Sequence, residues 1–126
     1  MKITLTENLK QKPDFKNLGF GKYFTDHMLY MGYVDGKWGE VEIRPFSDIA
    51  VNPASVVFHY GQEIFEGMKA YKNTDGKITM FRPRDNILRM NRSAKRLCMA
   101  ELPVDEVLEG IFELVRIEKD WIPTDP

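Results

Sequence analysis

The sequence predicts an α+β domain: two β-hairpins in a mostly antiparallel sheet with two amphipathic helices packed on one face. Three observations carry that expectation. Aromatic and β-branched runs broken by glycine turns fill the earlier part of the chain. Apolar residues at helical spacing fill the last third. The length of 126 residues with 43% apolar content suits one domain with a real core.

Taken in order, MKITLTENLKQKPDFK is mostly polar and lacks a sustained period, so residues 1–17 read as an arm that wraps or frays. Only Ile3 and Leu5 hint at a short strand. From Met28 to Phe46 the pattern changes: HMLYMGYV, which begins at His27, and EVEIRPF stand on either side of DGKWG, a glycine-rich connection with turn chemistry, and so predict a hairpin. In PASVVFHYGQEIF, residues 53–65, Val57, Tyr60 and Ile64 suit a short helix interrupted near Gly61. A second hairpin pairs GMKAYKN with KITMFR across Asp75-Gly76, a dipeptide that tolerates positive φ in a tight turn.

Phe81-Arg82-Pro83 ends that strand and puts proline where a helix starts, because first-turn N–H groups have no intrahelical partner. Ile87, Leu88, Met90, Ala94, Leu97 and Cys98 then form an apolar stripe, with Arg84, Arg92 and Lys95 largely off it. Another helix begins after Pro103. Asp105 and Glu106 in its first turn complement the helix dipole, and Val107, Leu108, Ile111, Leu114 and Val115 recur on one side. Residues 18–123 thus read as one domain and 124–126 as a truncated linker, after which a further strand is expected.

The balance of 18 basic and 19 acidic residues leaves a net charge of −1, with no field to recruit nucleic acid or an anionic membrane. A single cysteine, Cys98, excludes an internal disulfide and fits a reducing compartment. The N-terminal stretch has no apolar leader core and carries acidic residues a transit peptide avoids, so the expected location is the cytoplasm. His27 and His59 stand far apart and no carboxylates cluster at metal-ligand spacing, so no metal site is expected.

Three features could carry chemistry: Phe58-His59-Tyr60, the corner Phe65-Glu66-Gly67, and the series Arg82, Arg84, Arg89, Arg92, Arg96. The His-Tyr pair reads first as a hydrogen-bonded corner, since neither an acid nor a nucleophile is indicated beside it. Lys69 reads as an exposed strand lysine rather than a cofactor-bearing one. Arg89, Arg92 and Arg96 share a helix face, ordinarily a solvated one. Arg89 is the exception, because it lies between Leu88 and Met90, partly towards the apolar side, where a charge needs an anion. A guanidinium fork matches phosphate oxygens two at a time.

The segments FGKYFTDHM, PASVVFHYGQEIFEGMKAY, FRPRDNILRMNRSAKRLC and KDWIP resemble, in this order and spacing, the N-terminal half of branched-chain amino acid aminotransferases. The resemblance runs over residues 19–123 and implies the small domain of a fold type IV pyridoxal-phosphate enzyme. It matches Arg89 to the residue that binds the cofactor phosphate, and Phe20, Tyr60 and Phe65 to the pocket for the branched side chain. The implied reaction passes an amino group between Leu, Ile or Val and 2-oxoglutarate, in a homo-oligomeric enzyme with small-molecule substrates. The family's catalytic lysine, the glutamate that partners the pyridine nitrogen and the rest of the phosphate cradle lie in its C-terminal domain. This chain therefore carries no catalytic residue of its own and is expected to be inactive alone and not to retain pyridoxal phosphate. Two other readings stand beside it: a free-standing interaction or dimerisation module, and a lyase or D-amino acid aminotransferase of the same fold.

Overall fold

In the computed structural model, which describes residues 1–124, the chain forms β1 (Lys2–Ile3), β2 (His27–Tyr30), β3 (Tyr33–Val34), β4 (Lys37–Trp38) and β5 (Glu42–Pro45) before its first helix. Strand β5 lies between the other two members of a three-stranded sheet, antiparallel to β2 with Leu29 opposite Ile43, and parallel to β1 with Ile3 opposite Ile43. The first hairpin continues as β3 and β4, and its turn is Asp35-Gly36 alone, at φ 51° and 77°. Two consecutive positive φ values make the mirror-image turn that matches strand twist, which glycine adopts without strain. Lys37 and Trp38, expected in the connection, belong to the ladder instead, because the Trp38 ring packs on Tyr33 opposite it at 5.0 Å between centroids.

Helix α1 (Val56–Tyr60) stops at Gly61, where the interruption was expected. Strands β6 (Ala70–Lys72) and β7 (Ile78–Met80) make the second hairpin. Here only Gly76 takes positive φ, because the Gly76 amide returns to the Asn73 carbonyl at 2.9 Å and the Asn73 amide to that of Lys77, also at 2.9 Å, which makes a three-residue loop. The single expected sheet is corrected: among the described residues the two hairpins stand in separate sheets, and β1 adds a parallel strand. Residues 61–69 between them pair with neither ladder.

Helices α2 (Pro83–Arg96) and α3 (Val104–Ile117) follow; α3 lies on β2 and β5, while α2 packs chiefly on α3 rather than beside it on the sheet. The core is Val41, Ile43, Ile87, Ala94 and Val107. Gly110 lets α3 approach closely, since a Cβ there would stand 2.7 Å from both Leu29 Cδ1 and Val41 Cγ1. Pro83 does open α2, and Arg82 before it adopts φ 46°. The apolar stripe of α2 differs from expectation. Its buried line is Ile87, Asn91 and Ala94, with Asn91 accepting from the Leu102 amide at 2.7 Å and donating to the Leu102 carbonyl at 2.9 Å. Leu88, Leu97 and Cys98 are exposed. Cys98 sits at φ 54° in a Schellman cap, its amide and that of Met99 returning to the Lys95 and Ala94 carbonyls at 3.3 and 2.9 Å.

The arm wraps. The Thr6 amide donates to His27 Nε2 at 2.9 Å, and Asp26 accepts from the Lys10 amide at 2.8 Å, Lys12 Nζ at 3.0 Å and Trp121 Nε1 at 2.7 Å. Glu118, at the end of α3, accepts from the His27 amide at 2.9 Å and from His27 Nδ1, so in this arrangement Nδ1 donates while Nε2 accepts. Asp26, His27 and Glu118 are all buried. Thr124, expected in the linker, bridges Lys72 in parallel, and residues 125–126 of that linker lie outside the described residues. No helix among the described residues is long and apolar enough to cross a membrane.

Candidate functional site

The outer face of α2 carries the site. Because Ile87 and Asn91 face inward, Arg89 projects about 200° away from Ile87. Its side chain is 60% exposed, which corrects the expectation that it leans to the apolar side. It has the anion that the sequence argument demanded, and that anion is protein: Arg89 Nε donates to Glu66 Oε2 at 2.7 Å and Nη2 donates to Oε1. Glu66 is the covered partner, its side chain only 7% exposed. Asn86 Nδ2 at 3.0 Å and the Gly67 amide at 3.1 Å also donate to Glu66 Oε1. The Arg89 hydrogen bonds outweigh the cost of burial and, with those of Asn86 and Gly67, hold the Glu66 pKa at about 2. The pairing pushes the Arg89 pKa up.

Arg89 opens onto a cavity of about 340 Å³ that Asn86 and Arg92 line from α2, Tyr71 from the second hairpin, Lys69 from the unpaired residue just before it, and Arg82 from the helix entry. Arg82 pairs with Asp85 one turn on, and the Lys69 ammonium lies 4.9 Å above the Tyr71 ring. The expected face of Arg89, Arg92 and Arg96 resolves into the first two, since Arg96 does not line this cavity. Four cationic side chains, Lys69, Arg82, Arg89 and Arg92, line it with one carboxylate, Asp85, a net positive lining suited to a small anion.

The aromatic candidates are placed differently. Phe20, Tyr60 and Phe65 are 101%, 85% and 92% exposed, and none of them lines the cavity beside Arg89. Phe20 stands at a loop tip between Gly19 and Gly21, Tyr60 ends α1, and Phe65 precedes Glu66 in the unpaired segment. The His59 ring donates from Nε2 to the Pro53 carbonyl at 2.8 Å, the hydrogen-bonded corner expected of it, though Tyr60 beside it is not packed. The FEG corner stands out in the sequence, but nothing there gives its acid a role. Glu66 meets Arg89 from 23 residues upstream, a pairing that no local spacing signals.

No protein-family model matches the chain. Among curated proteins it is 49% identical over 117 residues to branched-chain-amino-acid transaminase 1 of Bacillus subtilis (strain 168), covering 92% of this chain and 33% of that protein. It is 49% identical over 124 residues to a probable branched-chain-amino-acid aminotransferase of Staphylococcus aureus (strain N315), covering 98% of this chain and 34% of that protein. It is 45% identical over 108 residues to the branched-chain-amino-acid aminotransferase of Mycolicibacterium smegmatis (strain ATCC 700084 / mc(2)155), with 85% and 29% covered. The chain thus spans about a third of the length of the curated relatives it matches.

Proposed function

We propose that this chain, which belongs by sequence to the branched-chain-amino-acid aminotransferase family, contributes one part of a pyridoxal-phosphate transaminase site. Arg89 anchors the cofactor phosphate, and Phe20, Tyr60 and Phe65 supply walls for the branched aliphatic side chain. The observation that carries this reading is the donor set at the cavity. Arg89 keeps an unshared guanidinium edge beside Arg92, the chemistry a phosphate group requires. Pyridoxal phosphate, when bound, supplies the electron sink for amino-group transfer. This chain's residues bind and orient: Arg89 neutralises phosphate charge, and the three aromatic rings exclude water and select apolar side chains.

The substrates of the whole enzyme on this reading are Leu, Ile or Val and 2-oxoglutarate. Their proton transfer falls to residues in the two thirds of the relatives that this chain does not span, so the chain alone turns nothing over. Its near fully exposed aromatic side chains support coverage by the rest of such an enzyme or by a second copy in a homo-oligomer. The working location is the cytoplasm.

The test titrates the purified chain with pyridoxal phosphate and, as the phosphate-free control, pyridoxal. A weak saturable shift of the backbone amides lining the cavity that depends on the phosphate and vanishes in Arg89→Ala is the expected result. Equal responses to the two compounds would refute the anchor. A cofactor absorbance band retained through dialysis together with turnover of leucine would refute the division of labour.

A further inference from the structure

We propose that Glu66 is a positioning residue for the anion site, gripping one side of the Arg89 guanidinium so that its end edge is aimed into the cavity. The inference rests on the phosphate reading of Arg89 given above. A guanidinium has five N–H donors in a rigid plane. Glu66 takes the Nε donor at 2.7 Å and one donor of Nη2. The donors left over are the second on Nη2 and the pair on Nη1, and one from each nitrogen shares the end edge, which is the fork that receives two phosphate oxygens.

The grip is itself braced. Asn86, three residues before Arg89 on α2, donates from Nδ2 to Glu66 Oε1 at 3.0 Å and to the Gly67 carbonyl at 2.9 Å. The carboxylate is thereby fastened to α2 at two levels, one turn apart, while its own side chain is 7% exposed. Arg89 is the opposite case: a long side chain, 60% exposed, which without a fixed partner would spread over many rotamers. An anion would then have to order it on arrival. Pre-ordering removes that cost from binding.

A negative charge beside a cationic site also opposes an incoming anion. The two effects of Glu66 therefore have opposite signs, and Glu66→Gln separates them. The experiment follows the Arg89 Nε–H resonance of the isotope-labelled chain during titration with inorganic phosphate and with pyridoxal phosphate. In Glu66→Gln the expected results are a broadened Arg89 signal without ligand and about tenfold weaker binding of both phosphates, with the backbone spectrum elsewhere unchanged. Asn86→Ala is expected to weaken binding about threefold by loosening the brace, and it carries the test if Glu66→Gln fails to fold. Equal or tighter phosphate binding by the folded variants overturns the proposal and makes Glu66 a competitor for the guanidinium. Loss, in Arg89→Ala, of the phosphate-induced shifts of the backbone amides lining the cavity upholds the phosphate reading whatever the Glu66 variant does. A wild-type Arg89 that ignores phosphate overturns the reading and the grip together.

Discussion

Where the start of β2 meets the end of α3, the molecule holds its charges dry and fully bonded; along the outer face of α2 it leaves them wet. Asp26 and Glu118 are buried and each receives several donors, from the arm, from β2 and from Trp121. Arg89, Arg82 and Arg92 are exposed, and the aromatic residues Phe20, Tyr60 and Phe65 stand almost free of contacts. A buried polar group without partners costs free energy, so the first region has to complete its own bonding for the chain to fold. The second has no such obligation. Its free donors and rings are surfaces for something else to meet, which is what a binding site assembled with other parts of a protein requires.

The strongest test of this contrast is Glu118→Ala. It strips the acceptor from the His27 ring and amide inside a buried cluster and is expected to cost about 3–5 kcal/mol, read as a drop in the urea midpoint. A cost below about 1 kcal/mol would mean water reaches the cluster, and the contrast would break.

Acid sharpens the same comparison. Burial raises the Asp26 pKa, but hydrogen bonds from the Lys10 amide, Trp121 and Lys12 outweigh it and leave the value lowered to about 2. A lowered folded-state pKa means that the stabilisation is fully present above the unfolded value and is lost as pH falls from about 4 towards 2. That loss is on the order of 2 kcal/mol. Thermal melts between pH 6 and pH 2 should show the decline in the wild type and a flatter acid limb in Asp26→Asn. Glu66 titrates in the same window, and Asp14, Glu40 and Glu113 are lowered as well, so the clasp on Arg89 is reported by the further flattening that Glu66→Gln adds to Asp26→Asn.

What the sequence disclosed follows from how local each signal is. The turns at Asp35-Gly36 and Asp75-Gly76 and the helix entry at Pro83 were legible because a residue's own backbone preference sets them. The separation of the two hairpins was not, since it depends on which edges meet across the unpaired residues 61–69. Asn91 took a core place that an apolar count assigns to Leu88, because its partner Leu102 comes from the loop beyond the helix. His27 and Glu118 are 91 residues apart, beyond any periodicity. In the site, the need of Arg89 for an anion was legible from chemistry alone, but Glu66 as that anion was not. The roles of Phe20, Tyr60 and Phe65 came only from the family resemblance, and the structure leaves those side chains exposed.

Gly110→Ala probes the interior at a single methyl. The new Cβ would stand 2.7 Å from Leu29 Cδ1, which can swing aside, and 2.7 Å from Cγ1 of buried Val41, which sits on a short branched side chain. Overpacking of this kind costs about 1–3 kcal/mol, and alanine returns up to about 1 kcal/mol in helix propensity. The net expectation is a loss of about 1 kcal/mol by urea denaturation. A stabilised variant would mean that α3 and β2 part easily, and the interior would then be no tighter than the outer face.

The smallest effect is predicted where the rings are largest. In a packed core, removing a phenyl group costs about 3–5 kcal/mol. Phe20 and Tyr60 are 101% and 85% exposed, so they have almost no buried area to lose. Phe20→Ala and Tyr60→Ala should therefore each leave the stability of the chain within about 0.5 kcal/mol of wild type. The urea transition of each variant should accordingly overlay the wild-type curve at low protein concentration. If either variant instead loses more than about 2 kcal/mol, the ring is holding the domain together, and an aromatic that the fold already consumes cannot also stand ready as the wall of a substrate pocket.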